Sequence, residues 1–217
     1  MLLIKATPIA WAEAEGLVAN IHHLALGHVI NCSLIGVGDG DVRVGVTSDS
    51  DHLESILAAM LKDQLGSEPE SAEYLEEMFR LRRKKPNYVL NLQLPQGDID
   101  NRLVKGRDPL VSVYSALARV PKRGAAGVSW VLRARLDEGF DAHGVAFATG
   151  RDIDEVRDLA SYVAAAYGAL GFQHARRPLF HGWAWRSVLA VEMRKPSYRV
   201  SSQTVSQVWH PPIAEDS

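Results

Sequence analysis

Hydrophobic and polar positions recur along this chain with two periods, and each switch of period marks an element. Residues 2–6 read as a short strand. Thr7 and Pro8 signal a helix start. Trp11, Ala14, Leu17, Val18, Ile21, Leu24 and Ala25 then recur at helical spacing, and Gly27 ends the run. Ile30, Cys32 and Leu34 alternate within a strand over residues 29–37. Gly38-Asp39-Gly40-Asp41 predicts a hairpin turn, because Asp-Gly tolerates positive φ. Val42, Val44 and Val46 return along the partner strand. Asp51 and Glu54 have capping-box spacing ahead of Leu53, Ile56, Leu57, Met60 and Leu61, the apolar side of a second helix. Residues 66–69 break it, and residues 72–83 read as a shorter helix. Tyr88, Leu90, Leu92 and Leu94 alternate with Asn87, Asn91 and Gln93, which predicts a strand with one wet face.

The second half repeats the alternation of periods. Asp108 suits an N-cap and Pro109 a first helical position, with Leu110, Val113, Tyr114 and Leu117 on one face. Pro121 and Gly124 end that helix. Val128, Trp130, Leu132, Ala134 and Leu136 alternate with Ser129, Arg133 and Arg135 in a half-buried strand. Residues 143–149 read as a short strand. Asp152 and Glu155 open a helix whose inner side is Ile153, Val156, Leu159, Ala160, Val163 and Tyr167, with Gly171 as its stop. Trp183, Trp185, Ser187, Leu189, Val191 and Met193 alternate as a last strand. His174 and His181 read as residues of a surface loop before it.

This order predicts an α+β protein built as tandem ferredoxin-like modules, antiparallel sheets covered by helices. The divisions fall at residues 1–95 for the first module, 96–107 for a linker or surface loop rich in Gly, Asp and Asn, 108–197 for the second module, and 198–217 for a C-terminal docking tail. The strand around Tyr88 is a candidate for sharing between modules.

Composition narrows the function more by exclusion than by assignment. The 217 residues are 47% hydrophobic and 23% charged with a formal net charge of -2, so no global basic field attracts nucleic acid over the whole surface. One cysteine, Cys32, excludes an internal disulfide and fits a reducing compartment. Residues 16–38 lack Asp, Glu, Lys and Arg, but His22, His23, His28, Asn20 and Asn31 interrupt them, so they read as buried helix plus strand and not as a membrane span. No secretion signal opens the chain, since Pro8 and Glu13 break any apolar core there. The expected location is the cytoplasm, with any membrane association through a partner.

No motif declares a reaction. There is no P-loop and no Gly-x-Ser-x-Gly elbow. His22 and His23 diverge by about 100° on a helix, so they and His28 and Cys32 predict no shared metal. No catalytic residue, cofactor or metal is expected. Arg80, Arg82, Arg83, Lys84 and Lys85 form the densest basic run, either a solvated helix end or a contact for DNA or an acidic partner. Lys122, Arg123, Arg133 and Arg135 extend that face if the modules pack side by side. Trp209 and His210 lie near the end of the chain beside Pro211 and Pro212, and read as an aromatic anchor that docks on a partner or on its own module. A small-molecule or regulatory protein, with a ligand between the modules against Trp183, Trp185 and Tyr167, is the second reading. An enzyme using Asp141, His143 and Arg151 is the third.

Three stretches together resemble one family. Asp108-Pro109-Leu110 opening a helix before a hydrophobic strand is similar to the accessory region upstream of the motor in conjugative and type IV secretion coupling ATPases. The run YRVSSQTVSQVWHPP, from Tyr198 to Pro212, resembles the segment such proteins carry just before the ATPase domain. The strand, helix, hairpin and helix of the first half resemble the α+β module that starts those chains. The resemblance implies a non-catalytic region that assembles a hexameric ring or receives DNA or nucleoprotein cargo. The nucleotide-binding motor would then be a separate domain or subunit.

Overall fold

The architecture is that of a computed structural model, which describes residues 2–71, 86–93, 108–122, 124–137, 139–168, 170–176, 178, 188, 191–193 and 198–214. The molecule is α+β, with a nine-stranded sheet among the described residues. In chain order the elements are β1 (Leu2–Lys5), α1 (Trp11–Leu24), β2 (Val29–Gly36), β3 (Val42–Ser48), α2 (Asp51–Leu65), β4 (Glu70–Ser71), β5 (Asn87–Gln93), α3 (Val111–Leu117), β6 (Ala125–Ala134), β7 (Gly139–Thr149), α4 (Ile153–Gly168), β8 (Gln173–Arg176), β9 (Tyr198–Ser201) and α5 (Ser202–Val208). The sheet runs β4-β1-β3-β2-β6-β7-β5-β8, with β9 continuing beside β7, and each named pair is antiparallel.

The two halves meet at β2 and β6, which pair over eight residues from Val29↔Arg133 to Gly36↔Ala126. The strand around Tyr88 is β5, and its partners are β7 and β8. It therefore pairs with strands of the second half, while β1 pairs with β4.

Register fixes the two faces, because side chains of paired residues point the same way. Ile30, Cys32, Leu34, Val44, Val46, Leu90, Val128, Trp130, Leu132 and Ala146 share one face with the buried sides of all five described helices in a continuous apolar core. The opposite face is also closed. Leu3, Ile35, Val89, Ala125, Val145, Phe147 and Val188 form a second apolar cluster there. Asn31, Ser33 and Ser129 are fully buried on that face. The Ser129 hydroxyl donates to Asn31 Oδ1 at 2.9 Å, and Asn31 Nδ2 donates to the Val188 carbonyl at 3.1 Å. The Asn31 amide thus ties a segment 157 positions away onto the sheet.

Several boundaries differ from the sequence pattern. Helix α1 begins at Trp11 and not beside Pro8, because Ile9 is engaged in a parallel bridge with Ile213. Ser50 caps α2 by accepting from Leu53 N, while Glu54 turns back to take the Thr47 hydroxyl and Ser48 N. Leu110, not Asp108, flanks α3, and Asp108 Oδ1 accepts from Leu110 N at 2.7 Å in a turn ahead of it. Strand β7 starts at Gly139, four residues before the expected 143, and forms a hairpin with β6. His174 lies in β8 and not in a loop. The strand expected around residues 183–193 is not there at Val188 or Val191–Met193, its described residues, which carry no strand. The basic run 80–85, the helix at 72–83, the linker 96–107, and Trp183 and Trp185 lie outside the described residues.

Candidate functional site

Among the described residues, the C-terminal segment is bonded to several other elements. β9 pairs with the first four residues of β7, from Gly139↔Ser201 to Ala142↔Tyr198. Ser201 then caps α5, its hydroxyl accepting from Thr204 N at 3.1 Å. This is the Ser-x-x start that lets a seven-residue helix form directly off a strand. α5 packs on α1 and drives its terminal Trp209 into the main core, where the ring has no exposed surface.

Bonds to this segment come from both halves. Trp209 Nε1 donates to the Ser33 carbonyl of β2 at 3.2 Å. The Tyr167 hydroxyl of α4 donates to the Val208 carbonyl at 2.9 Å, and the Tyr114 hydroxyl of α3 donates to the His210 carbonyl. Ile9 N donates to Pro212 O at 2.8 Å, and Ala214 N donates to Ile9 O at 2.9 Å. Asp108 Oδ2 accepts from Ile213 N at 3.0 Å. Trp209 and His210 are therefore not free to anchor a partner: both are fully buried against their own chain. Burial of a whole indole outweighs the proline stop that suggested an exposed anchor.

The remaining candidates do not converge. Lys122 and Arg135 flank opposite ends of the ten-residue β6, about 30 Å apart at strand rise. Arg135 is engaged by Asp137 at 2.9 Å and Asp141 at 3.2 Å. Asp141 and buried His143 lie near the start of the eleven-residue β7 and Arg151 just past its end, so the three do not form one constellation. His22 Nε2 contacts the carbonyls of Arg135 at 2.9 Å and Gly139 at 3.2 Å, bracing α1 on the β6–β7 turn. His28 pairs instead with Asp49 at 2.9 Å. Cys32 is buried, and burial pushes its thiol pKa far up. Among the described residues no three His, Cys, Asp or Glu side chains are placed to hold a metal ion.

A groove of about 190 Å³ opens beside the start of α4, lined by Pro121, Lys122, Gly124, Thr149, Gly150, Arg151, Glu155, Val156 and Leu159. It lies within the second half and not at the β2–β6 seam. Tyr167, expected to line a ligand pocket between modules, is fully buried against Trp130 and Phe172.

Asp108, Tyr114, Tyr167 and the Ser33 carbonyl were not legible as docking partners. A backbone acceptor leaves no sequence signal, and the two tyrosines read as ordinary members of apolar helix faces.

Against known proteins, the sequence matches no family model and no curated protein. Among solved structures, 6-hydroxy-D-nicotine oxidase from Arthrobacter nicotinovorans superposes with a TM-score of 0.45 at 12% identity. The match covers 82% of this chain and 44% of that one, so the chain spans less than half its length. A superposition that loose defines neither a shared fold family nor a shared chemistry. No described helix is long and apolar enough to cross a membrane.

Proposed function

We propose that the chain is a pair of ferredoxin-like modules joined edge to edge, serving as a non-catalytic assembly or substrate-recruitment unit of a conjugation-type DNA-translocating ATPase. The strand order supports the first part. Reading β1, α1, β2, β3, α2, β4 gives the order β4-β1-β3-β2 in the sheet. Reading β5, α3, β6, β7, α4, β8 gives β8-β5-β7-β6, the same order mirrored across the seam.

The observation that carries the second part is the placement of the Tyr198–Pro212 run, whose sequence resembles the pre-motor segment. It bonds to β2 in one half and to α3, α4 and β7 in the other. A segment held by both halves transmits the position of anything attached to it to both modules at once. An adaptor between a motor and its cargo needs that rigidity. The candidate cargo contact is the run Arg80, Arg82, Arg83, Lys84 and Lys85.

The test is affinity for duplex DNA measured across a salt series. Binding is expected to weaken linearly on a log-log plot. Arg82→Ala with Arg83→Ala is expected to flatten the slope by about one unit for each phosphate no longer neutralised. Absence of binding at low salt, or an unchanged slope in the double variant, removes the DNA-recruitment reading. ATP hydrolysis by the purified chain overturns the non-catalytic one.

A further inference from the structure

The C-terminal segment buries one imidazole among its polar contacts. His210 has no exposed surface. Its Nδ1 faces the Pro211 carbonyl. Trp11 of α1 packs against it edge-on with centroids 5.4 Å apart, and Tyr114 of α3 lies tilted at 6.5 Å. Nε2 points at Asp108 Oδ1 across 3.5 Å, beyond hydrogen-bond length. Two backbone N–H groups hold that carboxylate in its place. Its Oδ1 already accepts from Leu110 N at 2.7 Å and its Oδ2 from Ile213 N at 3.0 Å. A fully buried ring whose Nε2 has no hydrogen bond favours the neutral form, with Nδ1–H donating to Pro211, a tautomer assigned from these neighbours.

We propose that His210 and Asp108 form an acid-operated latch, in which a proton on Nε2 loosens residues 202–214 from the two halves. The proton places a charge where water does not reach, which is costly unless the charge is paired at good geometry. Pairing requires Nε2 and Oδ1 to approach to about 2.7–2.9 Å. That movement pulls on the carboxylate that Ile213 N holds, beside the Ile9–Ile213 bridge. The other route takes the ring out to water, and Trp209 leaves the Ser33 carbonyl with it. The first route strains a bond that holds the segment, and the second gives one up.

The surrounding groups leave the latch to this pair. Burial and the neighbouring Asp108 push the Tyr114 hydroxyl well above the ordinary phenol range, so it stays neutral. Trp11 brings no charge from α1. Burial pushes the His210 pKa below its ordinary value, outweighing the opposing pulls of Asp108 and the Pro211 carbonyl. A depressed pKa in the docked state means that the released segment binds the proton more readily. Docking is then complete above the ordinary histidine value of about 6.5 and is lost as pH falls toward the docked value.

The experiment is a pH titration of the full chain by NMR. It follows the Trp209 indole N–H, assigned by its loss in Trp209→Phe, and the His210 ring proton. The indole signal is expected to move from its docked position to that of a solvent-exposed indole with a midpoint below about 6.5, and to stay docked over the same range in His210→Gln. An indole signal that does not respond to acid in the wild type, or that responds equally in His210→Gln, overturns the latch. The ring titration of the wild type needs no variant to fold. A His210 midpoint at or above the ordinary histidine value overturns the latch on its own.

Discussion

At the scale of single residues, Trp209 couples the largest buried ring of the tail to a carbonyl in the middle of β2. Trp209→Ala removes that ring and leaves a cavity in the main core beside β2. The expected cost is about 3–5 kcal/mol, read as a lowered denaturation midpoint. A loss under about 1 kcal/mol would mean that the core closes over the site without it. Cys32 gives a second test. Its thiol is buried in the main core and held protonated by that burial, so it should react with a thiol reagent only as fast as the protein unfolds. Fast labelling of the native chain would contradict the packing of β2. Gly144 shows why the first half of β7 is faint in the sequence. A Cβ there would lie 2.3 Å from the Trp130 ring, so the strand opposite Trp130 must be small-sided. Gly144, Ala142, Ala146 and Ala148 accordingly carry little apolar signal of their own, although the three alanines are buried.

At the scale of elements, the long periodic helices were legible, and their ends were not. The pattern from Leu53 to Leu61 predicts α2 correctly, but the cap is Ser50, one residue before the expected Asp51. The difference matters for Glu54. A capping box would aim its carboxylate at its own helix start, whereas the structure gives it the Thr47 hydroxyl and Ser48 N at the end of β3. Burial alone would raise the Glu54 pKa, but these bonds outweigh it and hold the group below the ordinary carboxylate value. The folded pKa is depressed, so this contribution is present above the ordinary value and is lost as pH falls through the folded one. Denaturant stability of the wild type is expected to drop between about pH 5 and pH 3, and Glu54→Gln is expected to flatten that drop. Equal slopes in both proteins would place the acid sensitivity elsewhere. At Val188 and Val191–Met193, the described residues of the strand expected over 183–193, the pattern misleads for a different reason. Alternation of apolar and polar residues also arises where a segment lies against a sheet without pairing into it, as Val188 does through the Asn31 amide.

At the scale of the whole molecule, strand parity was legible and strand neighbours were not. Ile30, Cys32 and Leu34 declare which face of β2 is apolar, yet nothing in their pattern says that β6, about a hundred residues on, lies alongside. The same applies to the second face: Ser129 reads as the polar side of a half-buried strand but is fully buried, beside Asn31 and Ser33. The polarity of Asn31 and Ser129 is satisfied by each other and by a distant backbone carbonyl, which only the fold brings near. The mirrored halves therefore raise the question of whether they unfold separately. Their apolar residues belong to one cluster that runs from Ile4 and Leu57 in the first half to Phe140 and Val163 in the second, with Trp209 between them. The eight-residue β2–β6 pairing crosses the same boundary with backbone bonds. Opening one half exposes the flank of the other, so neither has a free-energy minimum of its own to rest in. Denaturant unfolding followed by tryptophan fluorescence and by far-ultraviolet circular dichroism is expected to give coincident single transitions. Trp209→Ala should shift both together, because the seam survives its loss. Two separated transitions, or a variant in which only the fluorescence midpoint moves, would make the halves independent folding units and the tail a mere appendage to one of them.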